Sequence, residues 1–151
     1  MRSNIEAVVI ANGEYPTRKE VLEIINAASL TVCCDGAADD FIARGGVPDI
    51  IIGDMDSLSD ENKARYSDII IHKDDQETND QTKAVQYLLS RGITRIAIVG
   101  ATGRREDHTI ANIALTAEYM AMGAEVVSYT DSGCFIPCRD NKRLQCTHNA
   151  Q

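Results

Sequence analysis

A chain of 151 residues with 44% hydrophobic and 25% charged content has the size and balance of one globular domain around a single core. Its formal net charge of −8, from 23 acidic against 15 basic residues, argues against nonspecific nucleic-acid binding, which needs cationic patches facing phosphates. No apolar run approaches membrane-spanning length and Met1-Arg2-Ser3-Asn4 carries no secretory signal, so neither a membrane nor export is expected and the cytoplasm is the default setting.

Ile5 to Ile10 reads as a first strand, broken by Asn12-Gly13. Thr17 to Ala28 places Val21, Leu22, Ile24 and Ile25 at helical spacing, with Thr17 as its N-cap. Leu30 to Cys34 is a second strand, and Ala37 to Arg44 a helix stopped by Gly45-Gly46. Ile50-Ile51-Ile52-Gly53 ends a third, buried strand; Asp60 to Tyr66 is helical and Ile69 to His72 gives strand four. Asp80 to Arg91 is an amphipathic helix with Val85, Leu88 and Leu89 inward and Gly92 as C-cap. Strand five is Ile96 to Val99, and Thr109 to Met122 a long, mostly apolar helix closed by Gly123. Strand six is Val126 to Tyr129.

Alternating strands and helices with short links predict an α/β fold, a mostly parallel sheet with helices on both faces in a Rossmann-like three-layer order, over residues 1–132. After Tyr129 the alternation stops. Cys134-Phe135-Ile136-Pro137 and Arg143-Leu144-Gln145-Cys146 read as short strands around a turn, so residues 133–151 are expected to open an all-β second domain left incomplete.

Five cysteines, with Cys33-Cys34 inside an apolar run, look like reduced thiols and not a disulfide framework. The spacing of Cys134, Cys138, Cys146 and His148 matches no common zinc finger. His72 and His148 read as structural or surface groups.

Several polar groups fall at the carboxyl ends of the predicted strands, where ligands sit in such folds. Asp54 and Asp56, in Gly53-Asp54-Met55-Asp56-Ser57, share a side if the extended geometry of strand three persists. Two carboxylates held that close repel unless one is protonated or a cation intervenes, and Mg2+ with phosphate oxygens is the usual resolution. The same residues also suit an acidic loop that caps a helix. In Cys34-Asp35-Gly36-Ala37-Ala38-Asp39, Gly36 and the small alanines let backbone approach a ligand and offer helix amides to phosphate; alternatively Asp35 caps the helix at Ala37. Asp80 and Lys83 lie one turn apart on the same face, and on their own read as a solvated ion pair more readily than as a site. Gly100-Ala101-Thr102-Gly103-Arg104-Arg105-Glu106-Asp107-His108 joins a strand to a helix, a plausible phosphate cradle in which Gly103 frees the backbone and Arg105 supplies a forked contact. It is not a Walker A motif. Asp107-His108 is an acid–base pair or a cap, and a neutral His108 suits a helix start.

Taken in order, Asp35 to Ala38, Pro48-Asp49 with Gly53 to Ser57, Asp80-Gln81-Thr82-Lys83, and Gly100 through His108 resemble the catalytic domain of thiamin pyrophosphokinase, over about residues 5–137. The resemblance implies Mg-dependent transfer of the pyrophosphoryl group of ATP to thiamin, giving thiamin diphosphate and AMP. It implies Asp54, Asp56 and Asp80 as metal ligands, and Asp35, Gln76, Lys83, Arg105, Asp107 and His108 around nucleotide and phosphates. Asp80 and Asp107 both stand as acceptors of the thiamin hydroxyl proton. The chain departs from the family's usual pattern at Asp39, Arg104 and Asn79. Family members continue into a β-sandwich that helps form a homodimer and the thiamin pocket. The chain is therefore expected to be a shortened piece that binds Mg-nucleotide but turns thiamin over poorly. Two other readings are a haloacid-dehalogenase-like phosphohydrolase with Asp54 as nucleophile, and a nucleotide-binding domain without chemistry.

Overall fold

The computed structural model describes residues 4–144. Six parallel strands and one antiparallel strand form a single sheet in the order β4-β3-β2-β1-β5-β6-β7. The strands are β1 Ala7–Ile10, β2 Leu30–Cys34, β3 Ile50–Gly53, β4 Ile70–His72, β5 Arg95–Val99, β6 Glu125–Tyr129 and β7 Cys134–Phe135. The helices are α1 Lys19–Ala27, α2 Ala37–Ala43, α3 Asp60–Arg65, α4 Asp80–Ser90 and α5 Glu106–Ala121.

Both faces of the sheet are buried, which is why the strands read as unbroken apolar runs. Alternation along β1 sends Ala7 and Val9 to one core, with Leu88 of α4 and Tyr119 of α5. Val8 and Ile10 enter the other, with Ile24 and Ile25 of α1 and Phe41 of α2. The expected α/β three-layer architecture is thus the observed one. β7 hydrogen-bonds to β6 and so extends this same sheet. Arg143 and Leu144 lie outside any strand, while Gln145, Cys146 and His148 fall outside the described residues.

Three local expectations are corrected. Thr17 does not cap α1: its hydroxyl donates to Asp131 at 2.9 Å, and the Thr17 and Arg18 amides donate to the same carboxylate at 3.0–3.1 Å. A residue from the loop after β6 thus caps the entry to α1, a partnership no local sequence window contains. Helix α5 begins at Glu106, three residues before the expected start, so Asp107 and His108 belong to its first turn. The C-cap of α4 is Arg91, with Gly92 following in the left-handed region.

The Arg18 amide holds the Asp131 carboxyl below the usual range, with Thr17 adding to the effect. A lowered pKa in the folded state means that the stabilisation is complete above about pH 4 and fades as acid protonates the group. Asp131→Ala should lower unfolding free energy by about 1 kcal/mol at pH 7. The loss should shrink towards zero near pH 2 in urea titrations, and a difference independent of pH would contradict it.

Candidate active site

The strand order reverses between β1 and β5, so the connections from those two strands diverge and leave a crevice at their carboxyl ends. A cavity of about 530 Å3 lies there. The loops after β1 and β5 are laced together at its base: the Gly13 and Glu14 amides donate to the Gly100 and Thr102 carbonyls at 2.6 and 2.8 Å. Gly103 has φ +94°, and a Cβ there would strike the Glu14 side chain. Its glycine character therefore serves loop packing as well as backbone freedom.

Asp56 and Asp80 give the cavity an acidic side, and Asp56 belongs to a cluster of carboxylates beside it. Asp35, Asp54 and Asp56 each bring a carboxylate oxygen within 4.8 Å of the others. The expected reason for that proximity fails, because the extended geometry stops at Gly53 and Met55 takes a left-handed φ of +65°. The turn buries Met55 in the core while Asp54 and Asp56 stay outside, and the Asp56 amide folds back onto Asp54 Oδ1 at 3.2 Å. Asp35 is buried and does not cap α2; its carboxylate accepts from the Leu58 amide at 2.9 Å and the Ser57 amide at 3.4 Å. Burial, then the neighbouring Asp56 and Asp54, push the Asp35 carboxyl up to about 6. The Asp56 amide, foremost among several contacts that include Gln76, holds Asp54 below its usual range.

Asp80 faces this trio across Gly53, where an added Cβ would lie 3.0 Å from Asp80 Oδ2 and 3.1 Å from Asp35 Cβ. Burial raises the Asp80 carboxyl, against the opposing pull of Lys83. Lys83 is itself buried, with Nζ 3.3 Å from Asp80 and 3.1 Å from the Lys73 carbonyl. The expected pair exists, but as a part-buried strut and not a solvated one.

The other wall is basic. Arg104 and Arg105 line the cavity together with His108. Arg104 is anchored 3.2 Å from Asp40, and Arg105 forks onto Asp107 through contacts of 3.1 and 2.6 Å. That contact, above all, keeps the Asp107 carboxyl low. Gln76 is exposed and donates to the Asp74 carbonyl, and Gly36 packs against Ser57. Asp39 accepts from Ser59 and Asn62 at the start of α3, a structural role.

The donor set fits a hard divalent ion. Two ligands on opposite sides of one Mg2+ lie about 4.2 Å apart, close to the span of the trio, and all donors are carboxylate oxygens. Asp35 joins Asp54 and Asp56 in that set, whereas the family resemblance puts it around the nucleotide and phosphates. Its position immediately after β2, one strand over from Asp54, was the available signal.

The catalytic-domain family of thiamin pyrophosphokinase matches residues 21–128. This chain belongs to that family. Thiamine pyrophosphokinase 1 of Oryza sativa subsp. japonica is 32% identical over 132 residues, covering 71% of this chain and 49% of that protein. Thiamine pyrophosphokinase 2 of the same plant is 28% identical over 156 residues, covering 86% of this chain and 56% of that protein. The chain thus spans about half the length of these thiamine pyrophosphokinases. Among solved structures, the Bacillus subtilis thiamine pyrophosphokinase matches with a TM-score of 0.67 at 19% identity, over 82% of this chain and 59% of that one. A thiamin pyrophosphokinase family protein from Enterococcus faecalis gives 0.68 at 23%, over 83% and 62%. At those identities the likeness carries the fold.

Gly53→Ala tests the packing of the acidic wall. The strained φ of +148° and the clash with Asp35 and Asp80 should cost about 1–3 kcal/mol in thermal unfolding. Divalent-ion binding should weaken as well, and an unchanged melting curve would refute the account.

Proposed function

We propose that the chain supplies the catalytic domain of a thiamin pyrophosphokinase, transferring the pyrophosphoryl group of ATP to the thiamin hydroxyl to give thiamin diphosphate and AMP. The observation that carries this reading is one cavity lined by Asp56 and Asp80 together with Arg104 and Arg105, with Asp56 belonging to a tight trio of carboxylates, in a member of this family. A triphosphate lies naturally between such walls, its charge met by guanidinium groups on one side.

Asp35, Asp54 and Asp56 would hold Mg2+, with Asp80 beside them. The bound ion would neutralise charge on the phosphate oxygens. The chain's own part is positioning and charge matching, since this transfer asks little covalent chemistry of a protein. The laced loops hold Thr102 against the crevice, and Arg104 and Arg105 are braced by Asp40 and Asp107. Of the two acids considered for the hydroxyl proton, Asp80 fits better. It lines the cavity with a raised pKa, whereas Asp107 is exposed and held low by Arg105. A homodimer, a cytoplasmic setting and a thiamin-binding second domain beginning near residue 133 belong to the same proposal, on the family resemblance. Among the described residues no helix is long and apolar enough to cross a membrane.

Product analysis tests the reaction. Thiamin diphosphate and AMP in equal amounts support it; inorganic phosphate released without thiamin would favour a hydrolase, and bound nucleotide without turnover, even in a full-length version, a binding domain. Asp56→Ala should weaken Mg-dependent ATP binding at least about tenfold with an unchanged circular dichroism spectrum, because Asp56 is exposed. Asp80→Asn should depress kcat about a hundredfold or more, and Asp107→Asn much less; the reverse order would reassign the base.

A further inference from the structure

One half-buried amide on the cavity wall ties the two sides of the site together. Asn112 of α5 accepts from Asn79 Nδ2 through its Oδ1 at 2.9 Å, and its Nδ2 donates to the Ala101 carbonyl at 3.0 Å. Its backbone carbonyl accepts from Gln81 Nε2 at 3.2 Å. Asn79 is the N-cap of α4, taking the Thr82 amide at 2.9 Å, and so stands directly before Asp80. Ala101 lies in the loop whose neighbours Thr102 and Arg104 line the cavity. The order of donor and acceptor is fixed: turning the Asn112 amide over would set oxygen against the Ala101 carbonyl and NH2 against NH2. Asparagine is a modest helix former, so helix propensity does not explain it in the middle of α5.

We propose that Asn112 is a positioning residue that bridges the start of α4, which carries Asp80, to the loop after β5, and so sets the distance between the acidic and phosphate-binding sides of the site. The bridge rests on the functional reading above. Its chemistry is directional: an acceptor towards α4 and a donor towards the loop, a combination that aspartate, leucine or alanine cannot supply. Asn112 makes no bond in the reaction. Losing it would let the two walls drift by a fraction of an ångström, which lowers affinity for a ligand that must touch both and leaves a ligand of one wall untouched.

The test titrates the purified chain with Mn2+ alone, followed by electron paramagnetic resonance, and with ATP in millimolar Mg2+, followed by calorimetry. Three variants are compared: Asn112→Ala, Asn79→Ser, and both together. Serine keeps a capping oxygen for α4 but is too short to reach Asn112, so this surface variant tests the bridge even if Asn112→Ala folds poorly. Each single change should weaken ATP binding about tenfold while Mn2+ affinity moves less than about twofold, and the double variant should be no weaker than the singles. Unchanged ATP affinity in Asn112→Ala, parallel losses of Mn2+ and ATP affinity, or additive losses in the double variant would each overturn the bridge while the functional reading stands. An unaltered chain that binds no ATP overturns both.

Discussion

Crowding of negative charge around a position without a side chain is the constraint from which the rest of the site follows. Asp35 and Asp80 approach Gly53 from two other segments, and the Asp54-Met55-Asp56 turn leaves from it. Any larger residue would push those carboxylates apart. Burial first, and then the neighbouring Asp56 and Asp54, raise the Asp35 carboxyl. A left-handed Met55 adds backbone strain of the kind that persists only where the surroundings enforce it. Here burial of the Met55 side chain in the core supplies that enforcement.

The opposite wall depends on a different device. Reversal of strand order between β1 and β5 opens the crevice, and the backbone bonds from Gly13 and Glu14 keep its two loops from separating. Arg104 and Arg105 are then oriented by carboxylates that do not belong to the acidic trio. The molecule therefore keeps these two cations and the carboxylate trio on separate segments. Lys83 is the exception, since its charge is spent largely on Asp80 beneath the cavity.

Stability resides elsewhere. Two apolar cores, one on each face of the sheet, provide the burial, and long-range caps such as Asp131 close helix ends that local sequence leaves open. That division lets the rim of the sheet carry strain and like charges without threatening the fold.

Element order and the sheet's two-sided burial were legible in the chain, because apolar periodicity and strand-end glycines are local signals. β2 and β3 match their expected spans, and the other elements differ by a few residues at their ends. The motif series around Asp54, Asp80 and Gly103 was equally legible, since spacing within a segment is written in the chain. Which acids meet depends on packing between segments. Asp35 joined Asp54 and Asp56 because β2 and β3 are neighbours in the sheet, and Asp107 is held by Arg105, which folds onto it. Asp131 at α1 and Asn112 between α4 and β5 are contacts across 114 and 33 residues of chain, which no local pattern encodes. Distances between segments are set by packing, and packing is the one thing a linear reading does not contain.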